Sequence, residues 1–132
     1  STPIKSSAAS DVYKRQFQPH LTPQIRGIEV TIYATLNKDV TNDELYELYQ
    51  RYYKDEYFVR VFPANKPVQT KWTAGTNLCC MTPTYDARTK RLLVSSVIDN
   101  IGKGAAGQAI QNMNIIFGLD ETTGLKIAPM YP

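Results

Sequence analysis

Alternating apolar and polar residues mark the first regular element of the chain. From residue 26 the sequence reads RGIEVTIYATL. The apolar positions share one parity: Ile28, Val30, Ile32 and Ala34. A period of two places such residues on one face of a strand. We therefore predict a strand over 26–36 with one face buried. It is preceded by an extended loop over 17–25, where two prolines bias the residues before them toward extended backbone.

A helix with a defined start is predicted next. Thr41 and Glu44 have the spacing of a capping box, in which each side chain accepts a hydrogen bond from the other residue's backbone amide. Apolar and tyrosine side chains then follow at helical spacing: Leu45, Leu48, Tyr49, Tyr52 and Tyr53. This spacing predicts a stripe that packs into the core. The alternative is a platform for stacked bases, but acidic rather than basic side chains surround these tyrosines.

Three more strands are predicted over 57–62, 75–84 and 90–98. The last two are joined by the polar turn YDARTKR. Both faces of 90–98 carry apolar or small residues, which is typical of a central strand covered on both sides. Together the elements predict an α+β fold. A mixed or mainly antiparallel sheet of about four strands carries two principal helices packed against it.

The second principal helix is predicted over 99–118, DNIGKGAAGQAIQNMNIIFG, with Gly118 as its C-terminal stop. Small residues fill its opening turns: Gly102, Gly104, Ala105, Ala106 and Gly107. Each glycine weakens a helix by up to about 1 kcal/mol relative to alanine, so the cluster needs a compensating gain. Tight packing of the helix on the sheet is one such gain. Close approach of another backbone or a ligand to the first amides is the other. Asp99 is a candidate to cap this helix start.

The charge balance argues against a nucleic-acid partner. The 132 residues include 15 basic and 12 acidic side chains, a formal net charge of +3. Residues 17–132 hold 12 basic and 11 acidic ones, so 12 − 11 leaves +1. Residues 1–16 are polar and serine-rich, and we predict a disordered or foreign tail there. No apolar run approaches the roughly 18 residues of a membrane span, and we expect neither a membrane partner nor a secretory signal.

The two cysteines, Cys79 and Cys80, are adjacent in sequence. Neighbouring strand residues point to opposite faces, so a bridge between them would be strained. We expect two reduced thiols packed as small hydrophobes, which favours a cytoplasmic location. A nucleophile would need a base or a helix N-terminus beside it, and neither is evident. With a single histidine in the chain, a Cys/His zinc site is not expected, and we predict no metal.

Three stretches carry a resemblance to a known family: FQPHLTPQIRGI, TNLCCMTPTYDARTKRLLVSSVIDN and DNIGKGAAGQAIQNMNIIFGLDETTGL. They resemble the C-terminal domain of the N-acetyl-γ-glutamyl-phosphate reductases, which are semialdehyde dehydrogenases. The resemblance covers about 17–132, and it implies a partial substrate-binding and dimerisation domain there. It also implies a parent oxidoreductase of arginine biosynthesis that uses NADPH to reduce N-acetyl-γ-glutamyl phosphate to the semialdehyde.

The resemblance further implies which parts of the enzyme lie elsewhere. In the family, the Rossmann domain, the nucleophilic cysteine and the proton-transfer histidine lie upstream of the matching segment. Cys80 aligns with a common cysteine of the family that is not the nucleophile. We therefore expect no catalytic residues in this chain and no activity from it alone. The implied partners are the missing Rossmann domain, the small-molecule substrate and, in the parent enzyme, further copies in a homo-oligomer.

The resemblance also carries six candidate site residues. For the substrate these are Arg26 and His20, and for the nicotinamide end of NADP they are Asn100, Lys103, Gly104 and Gln108. A surface or interface salt bridge is an equal alternative for Arg26, and a structural role in the proline-framed loop is the alternative for His20. Two alternatives stay open for the whole chain. One is a stand-alone dimerisation or binding module without chemistry, and the other is a fragment of aspartate-semialdehyde dehydrogenase, which the FGLDETTGL ending disfavours.

Overall fold

The computed structural model of the chain describes residues 18–130, and the predicted tail over 1–16 lies outside them. The elements in chain order are β1 (Ile28–Thr35), α1 (Asn42–Tyr52), β2 (Val59–Val61), β3 (Cys79–Asp86), β4 (Arg91–Ile98) and α2 (Gly107–Ile116). A short 3₁₀ helix, Thr70–Trp72, precedes β3, and a π-helical turn, Gly102–Ala106, leads into α2. Among these residues no helix is long and apolar enough to cross a bilayer.

The strands form one mixed sheet in the order β1-β4-β3-β2. β4 pairs antiparallel with both β1 and β3, whereas β2 runs parallel to β3. This confirms the predicted α+β class, with its mixed four-stranded sheet and two principal helices, and the central position of β4. The strand predicted over 75–84 begins only at Cys79, because the preceding residues form a loop. Thr76 is buried in that loop, where its hydroxyl donates to the Thr73 carbonyl at 2.8 Å.

The prediction that β1 has a buried face is wrong. All eight of its residues are exposed, and even the apolar side chains Ile28, Val30 and Ile32 keep 39–49% of their surface accessible. Within the described residues β1 is an edge strand, paired only with β4. An edge strand lacks a neighbour on one side, and here no helix covers its apolar face. The alternation of apolar and polar residues in β1 therefore marks an apolar face that is exposed to solvent.

The capping box of α1 is confirmed, whereas its predicted core stripe is only partly right. The Glu44 amide donates to the Thr41 hydroxyl at 3.1 Å, and the Thr41 amide donates to the Glu44 carboxylate at 2.7 Å. Leu45 is buried, but Leu48 is 46% and Tyr52 78% exposed. The helix contacts chiefly β3 and β2, so only the side chains that point at these two strands find cover.

One cluster of buried apolar residues joins the loop between β2 and β3 to the sheet. It consists of Val68, Cys80 and Val97, with Phe62, Trp72 and Leu78 packed around them. The Phe62 and Trp72 rings lie 5.2 Å apart between centroids. This cluster anchors the loop on the sheet and so fixes the backbone of residues 73–78, against which the last helical segment packs.

The predicted helix over 99–118 is present as the π turn followed by α2. α2 ends at Ile116, and Gly118, which follows the C-cap residue Phe117, has the left-handed φ of +69° expected of a glycine stop. Its orientation is unusual, because α2 turns polar side chains inward and apolar ones outward. Gln111 and Asn114 are buried, whereas Ile116 and Phe117 are 77% and 74% exposed.

Candidate functional site

The buried carboxylate of Asp99, directly after β4, joins three segments of the chain. Arg26 donates from Nε to Oδ1 at 2.9 Å and from Nη2 to Oδ2 at 2.7 Å. The backbone amides of Ile101 and Gly102 also donate to Oδ2. The carboxylate therefore holds the start of the π turn, as the sequence suggested for Asp99, and it also fixes Arg26 in the loop before β1.

Asp99 is ionised in this setting. Burial raises the pKa of its carboxyl, but hydrogen bonds from Arg26 and from the amides of Gly102 and Gly75 outweigh burial. The pKa consequently lies below its ordinary value. Donors from four residues surround this buried anion, and losing any of them would leave a buried charge less well satisfied.

Asn100 strengthens the same junction. Its side-chain oxygen accepts a hydrogen bond from the Gly27 amide at 2.8 Å, and its side-chain nitrogen donates to the Ile25 carbonyl at 3.4 Å. Asn100 was predicted to contact the cofactor, and the structure shows both of its polar atoms bonded to the loop before β1. Its observed contacts thus hold that loop against the end of β4.

The small residues of the π turn and the start of α2 differ in their surroundings. A methyl group added to Gly102 would lie 2.1 Å from the Thr76 carbonyl oxygen, and one added to Gly107 would lie 2.5 Å from Asn77 Oδ1. These two positions require glycine because the helical segment packs closely on the loop before β3. Gly104, Ala105 and Ala106 are instead exposed. Close packing is thus observed at Gly102 and Gly107, whereas approach of a ligand to the exposed part of the segment stays a prediction.

The inner face of α2 is held by amides rather than by apolar packing. Gln111 Oε1 accepts hydrogen bonds from Asn77 Nδ2 at 2.8 Å and from Lys103 Nζ at 2.6 Å, and its Nε2 donates to Glu121 at 2.8 Å. Asn114 Nδ2 donates to the carbonyls of Glu121 and Thr123. The sequence analysis missed this network. The spacing of Gln111 and Asn114, two amide side chains three positions apart and so on one helix face, was the signal that could have revealed it.

Lys103 is directed into this network. Its ammonium lies 5.7 Å from the centroid of the Phe58 ring, and burial lowers its pKa. The predicted cofactor contact of Lys103 stays a prediction, and its observed partner is Gln111 of the same chain.

Comparison with known proteins identifies the chain's relatives. The family described as semialdehyde dehydrogenase, dimerisation domain, matches residues 4–100. The chain belongs to this family. It is 54% identical over 116 residues to the N-acetyl-gamma-glutamyl-phosphate reductase of Desulforamulus reducens, 55% to that of Desulforudis audaxviator and 51% to that of Bacillus subtilis. In each case the match covers 88% of this chain and 34% of the relative, so the chain spans about a third of the length of these relatives.

Two of the predicted cofactor residues, Gly104 and Gln108, are at least partly accessible. Gly104 is exposed, and a methyl group added to it would lie 3.2 Å from the Ile28 side chain of β1. Gln108 is partly exposed and donates only to Asn112, at 2.9 Å. His20 is exposed in the loop before β1, with no hydrogen-bond partner among residues 18–130. The structure thus brings Arg26, Asn100 and the π turn together and leaves His20 apart.

The cysteines of the dimerisation domain are both free thiols. Cys80 is buried, and burial, with a smaller contribution from Cys79, raises its pKa to about 11. The thiol therefore stays protonated at neutral pH and is a poor nucleophile. Cys79 is half-buried, with its sulfur 3.4 Å from the Ser96 hydroxyl. These contacts agree with the interpretation of both residues as packed, reduced thiols.

A cavity of about 290 Å³ lies elsewhere, beside Tyr57 and Phe58. Arg60 and Lys126 line it, and both of their cationic groups lie against the Tyr57 ring, at 5.6 and 5.2 Å from its centroid. None of the predicted site residues contributes to its wall. We therefore place the candidate site at Asp99, where the buried charge and the exposed π turn lie, and not at this cavity.

Proposed function

We propose that the chain is the C-terminal, substrate-binding and dimerisation part of an NADP-dependent N-acetyl-γ-glutamyl-phosphate reductase. The parent enzyme would act in the cytoplasm, in arginine biosynthesis. The observation that carries the proposal is identity of about half the residues, over 88% of the chain, to reductases of that name. Such identity over a whole folded segment supports a shared role.

The junction around Asp99 supports a role in substrate binding. The proposed substrate carries a carboxylate and an acyl phosphate, so it needs fixed cationic donors. The Arg26 side chain is one third exposed and is held by its ion pair with the buried Asp99. A planar guanidinium suits carboxylate and phosphate groups because it can donate two parallel hydrogen bonds. His20 stays a candidate for the outer part of this region.

The exposed segment Gly104–Ala106 fits the approach of a flat nicotinamide ring, because no long side chain shields its backbone. Gln108, one turn further along, can offer its amide to a carboxamide group. When bound, the cofactor supplies the hydride. In this proposal Asn100 and Lys103 act on the cofactor indirectly, by holding the π turn in place. Asn100 does so through its bond to the loop before β1, and Lys103 through its bond to Gln111.

The chemistry itself would come from the rest of the parent protein. Among residues 18–130 both cysteines are packed, and no cluster of three or more metal-ligating side chains occurs. We expect the isolated chain to show no reductase activity. Its contribution is to bind, orient and assemble. The exposed apolar side chains of α2 and β1 suit contacts with the missing Rossmann domain and with further copies in a homo-oligomer.

A chimeric enzyme tests the proposal. Residues 17–132 replace the segment they match in the Bacillus subtilis reductase, and reduction of N-acetyl-γ-glutamyl phosphate is followed by NADPH oxidation. We expect turnover from the chimera and background rates from the isolated chain. In the chimera, Gln108→Ala is expected to raise the KM for NADPH without unfolding the protein. A matched Gln50→Ala change on α1 should leave this KM unchanged.

The outcomes of this experiment separate the alternatives. A folded chimera that is inactive on the acyl phosphate, yet active on aspartyl phosphate, would reassign the substrate. A folded, dimeric chimera with no reductase activity would favour a stand-alone dimerisation module. Turnover by the isolated chain would refute the assignment of its chemistry to the missing two thirds.

A further inference from the structure

The geometry of the Arg26 guanidinium divides its donors between two edges. The edge formed by Nε and Nη2 is occupied by the two oxygens of Asp99, at 2.9 and 2.7 Å. The second edge, formed by Nη1 and the remaining hydrogen of Nη2, has no partner among residues 18–130. The side chain is 33% exposed, whereas that of Asp99 is fully buried. The occupied edge therefore faces a buried carboxylate, and one third of the Arg26 side chain stays accessible.

Hydrogen bonds other than those from Arg26 also restrain the orientation of the Asp99 carboxylate. Its Oδ2 also accepts hydrogen bonds from the amides of Ile101 and Gly102. Those amides open the π turn, in which Gly102 is packed on the Thr76 carbonyl. Backbone amides thus hold the carboxylate in one orientation, and the carboxylate in turn orients the Arg26 guanidinium.

We propose that Asp99 is a positioning residue that aims the free Nη1/Nη2 edge of Arg26 at an anionic group of the ligand. The inference rests on the proposed function only for the identity of that ligand. The ligand chemistry is a carboxylate or a phosphate, since both accept two parallel hydrogen bonds from a guanidinium. The pair with Asp99 cancels most of the net charge of Arg26. Affinity at this site therefore depends on fixed geometry rather than on long-range attraction.

The competing explanation is a purely structural ion pair, with Arg26 serving only to neutralise a buried carboxylate. The two explanations differ in what an added anion does. If the free edge is a binding edge, an anion perturbs Nη1 and Nη2 and leaves the Nε–H bond to Asp99 intact. If the pair is only structural, an anion leaves the guanidinium unperturbed or competes with Asp99 for Nε–H.

The test is side-chain NMR on the ¹⁵N-labelled 132-residue chain. Arg26→Lys assigns the guanidinium signals, and the wild type is titrated separately with N-acetylglutamate and with inorganic phosphate. We expect the Nη resonances of Arg26 to shift on saturation, while its Nε–H stays protected from solvent exchange. The stronger of the two titrants shows whether the edge prefers a carboxylate or a phosphate.

A variant then isolates the role of Asp99. Asp99→Asn keeps an acceptor for the π-turn amides but turns an NH₂ group toward Arg26. We expect the apparent affinity for the preferred titrant to fall by about tenfold or more, the loss typical of a misaligned charged hydrogen bond. Asp86→Asn changes a half-buried carboxylate at the end of β3, away from Arg26, and should bind like the wild type. The amide spectrum of each variant reports whether it is folded.

Several results would overturn the inference. One is a wild-type chain whose Nη signals do not move at tens of millimolar of either anion. Another is loss of Nε–H protection on binding, which would mean that the anion displaces Asp99. A folded Asp99→Asn variant with wild-type affinity would do the same. If Asp99→Asn does not fold, the wild-type exchange measurement alone decides. All these readouts are independent of the chimera's activity, so failure here is distinguishable from failure of the proposed reductase function.

Discussion

Replacing Gly102 by alanine tests the packing that shapes the candidate site. An added methyl group would lie 2.1 Å from the Thr76 carbonyl oxygen and 3.0 Å from Asp99 Oδ2. A carbon and an oxygen in ordinary contact are more than 3 Å apart, so the two backbones must separate by about 1 Å. The Thr76 carbonyl is hard to move, because Thr76 is almost fully buried and bonded to Thr73 through both its amide and its hydroxyl.

The magnitude follows from two opposing contributions to the free energy of unfolding. Alanine in place of a helical glycine stabilises by up to about 1 kcal/mol when its methyl group fits. Overpacking against a rigid backbone costs about 1–3 kcal/mol and occasionally more. The clash here is with main-chain atoms, and it also disturbs the amides bonded to Asp99. We therefore place the overpacking cost above that range, at about 3–4 kcal/mol, and after the gain from alanine we expect a net loss of about 2–3 kcal/mol.

Urea unfolding of the purified chain measures this loss. With a slope of about 2 kcal/mol per molar urea, typical of a small domain, the midpoint should fall by about 1–1.5 M. Gly124→Ala is the matched control. Gly124 has a φ of +74° and no atom within 4 Å of the added methyl group, so only backbone strain of about 1 kcal/mol applies. A Gly102→Ala variant as stable as the wild type, or more stable, would refute the close packing of the π turn.

Three further predictions concern other parts of the chain. Gln111→Leu leaves Asn77 and Glu121 without their shared partner, so the free energy of unfolding should fall by about 2 kcal/mol, and a loss below 0.5 kcal/mol in urea unfolding would contradict the amide network. The buried thiol of Cys80 should resist a maleimide at pH 7 in the folded chain and react in urea; rapid labelling in the native state of a Cys79→Ser variant would count against its raised pKa. Phe117→Ser removes an exposed ring just after α2, so binding of a hydrophobic dye should fall while stability changes by less than about 0.5 kcal/mol; unchanged dye binding would show that the exposed apolar side chains at this end of α2 do not bind the dye.

A pH prediction follows from Asp99. Because its pKa is lower in the folded chain than in the unfolded chain, its ionised form stabilises the fold at neutral pH. That contribution is lost as the pH falls through the lowered folded value. Unfolding at pH 7 and at pH 3 should therefore show a gap in stability between wild type and Asp99→Asn that shrinks on acidification. A gap that is constant with pH would mean that the carboxylate is not selectively stabilised by folding.

The local elements of this protein were determined by the sequence alone. The Thr41–Glu44 capping box, the glycine stop at Gly118 and the central position of β4 each depend on residues close together in the chain or on a short repeating pattern. Physical preferences of this kind act over a few residues, so they can be read without knowing the fold. The family resemblance lay in continuous stretches for the same reason, and the relatives confirmed it.

Tertiary structure alone decided which apolar faces are covered and which polar residues meet. Alternation in β1 predicted an apolar face but could not tell that no element packs on it. The helical spacing in α2 placed Gln111 and Asn114 on one face, but it could not tell that this face would be the buried one. The contact between Arg26 and Asp99 joins residues 73 positions apart, and no local preference links them. Burial and long-range pairing depend on where the whole chain places each surface, and a pattern along one segment does not contain that information.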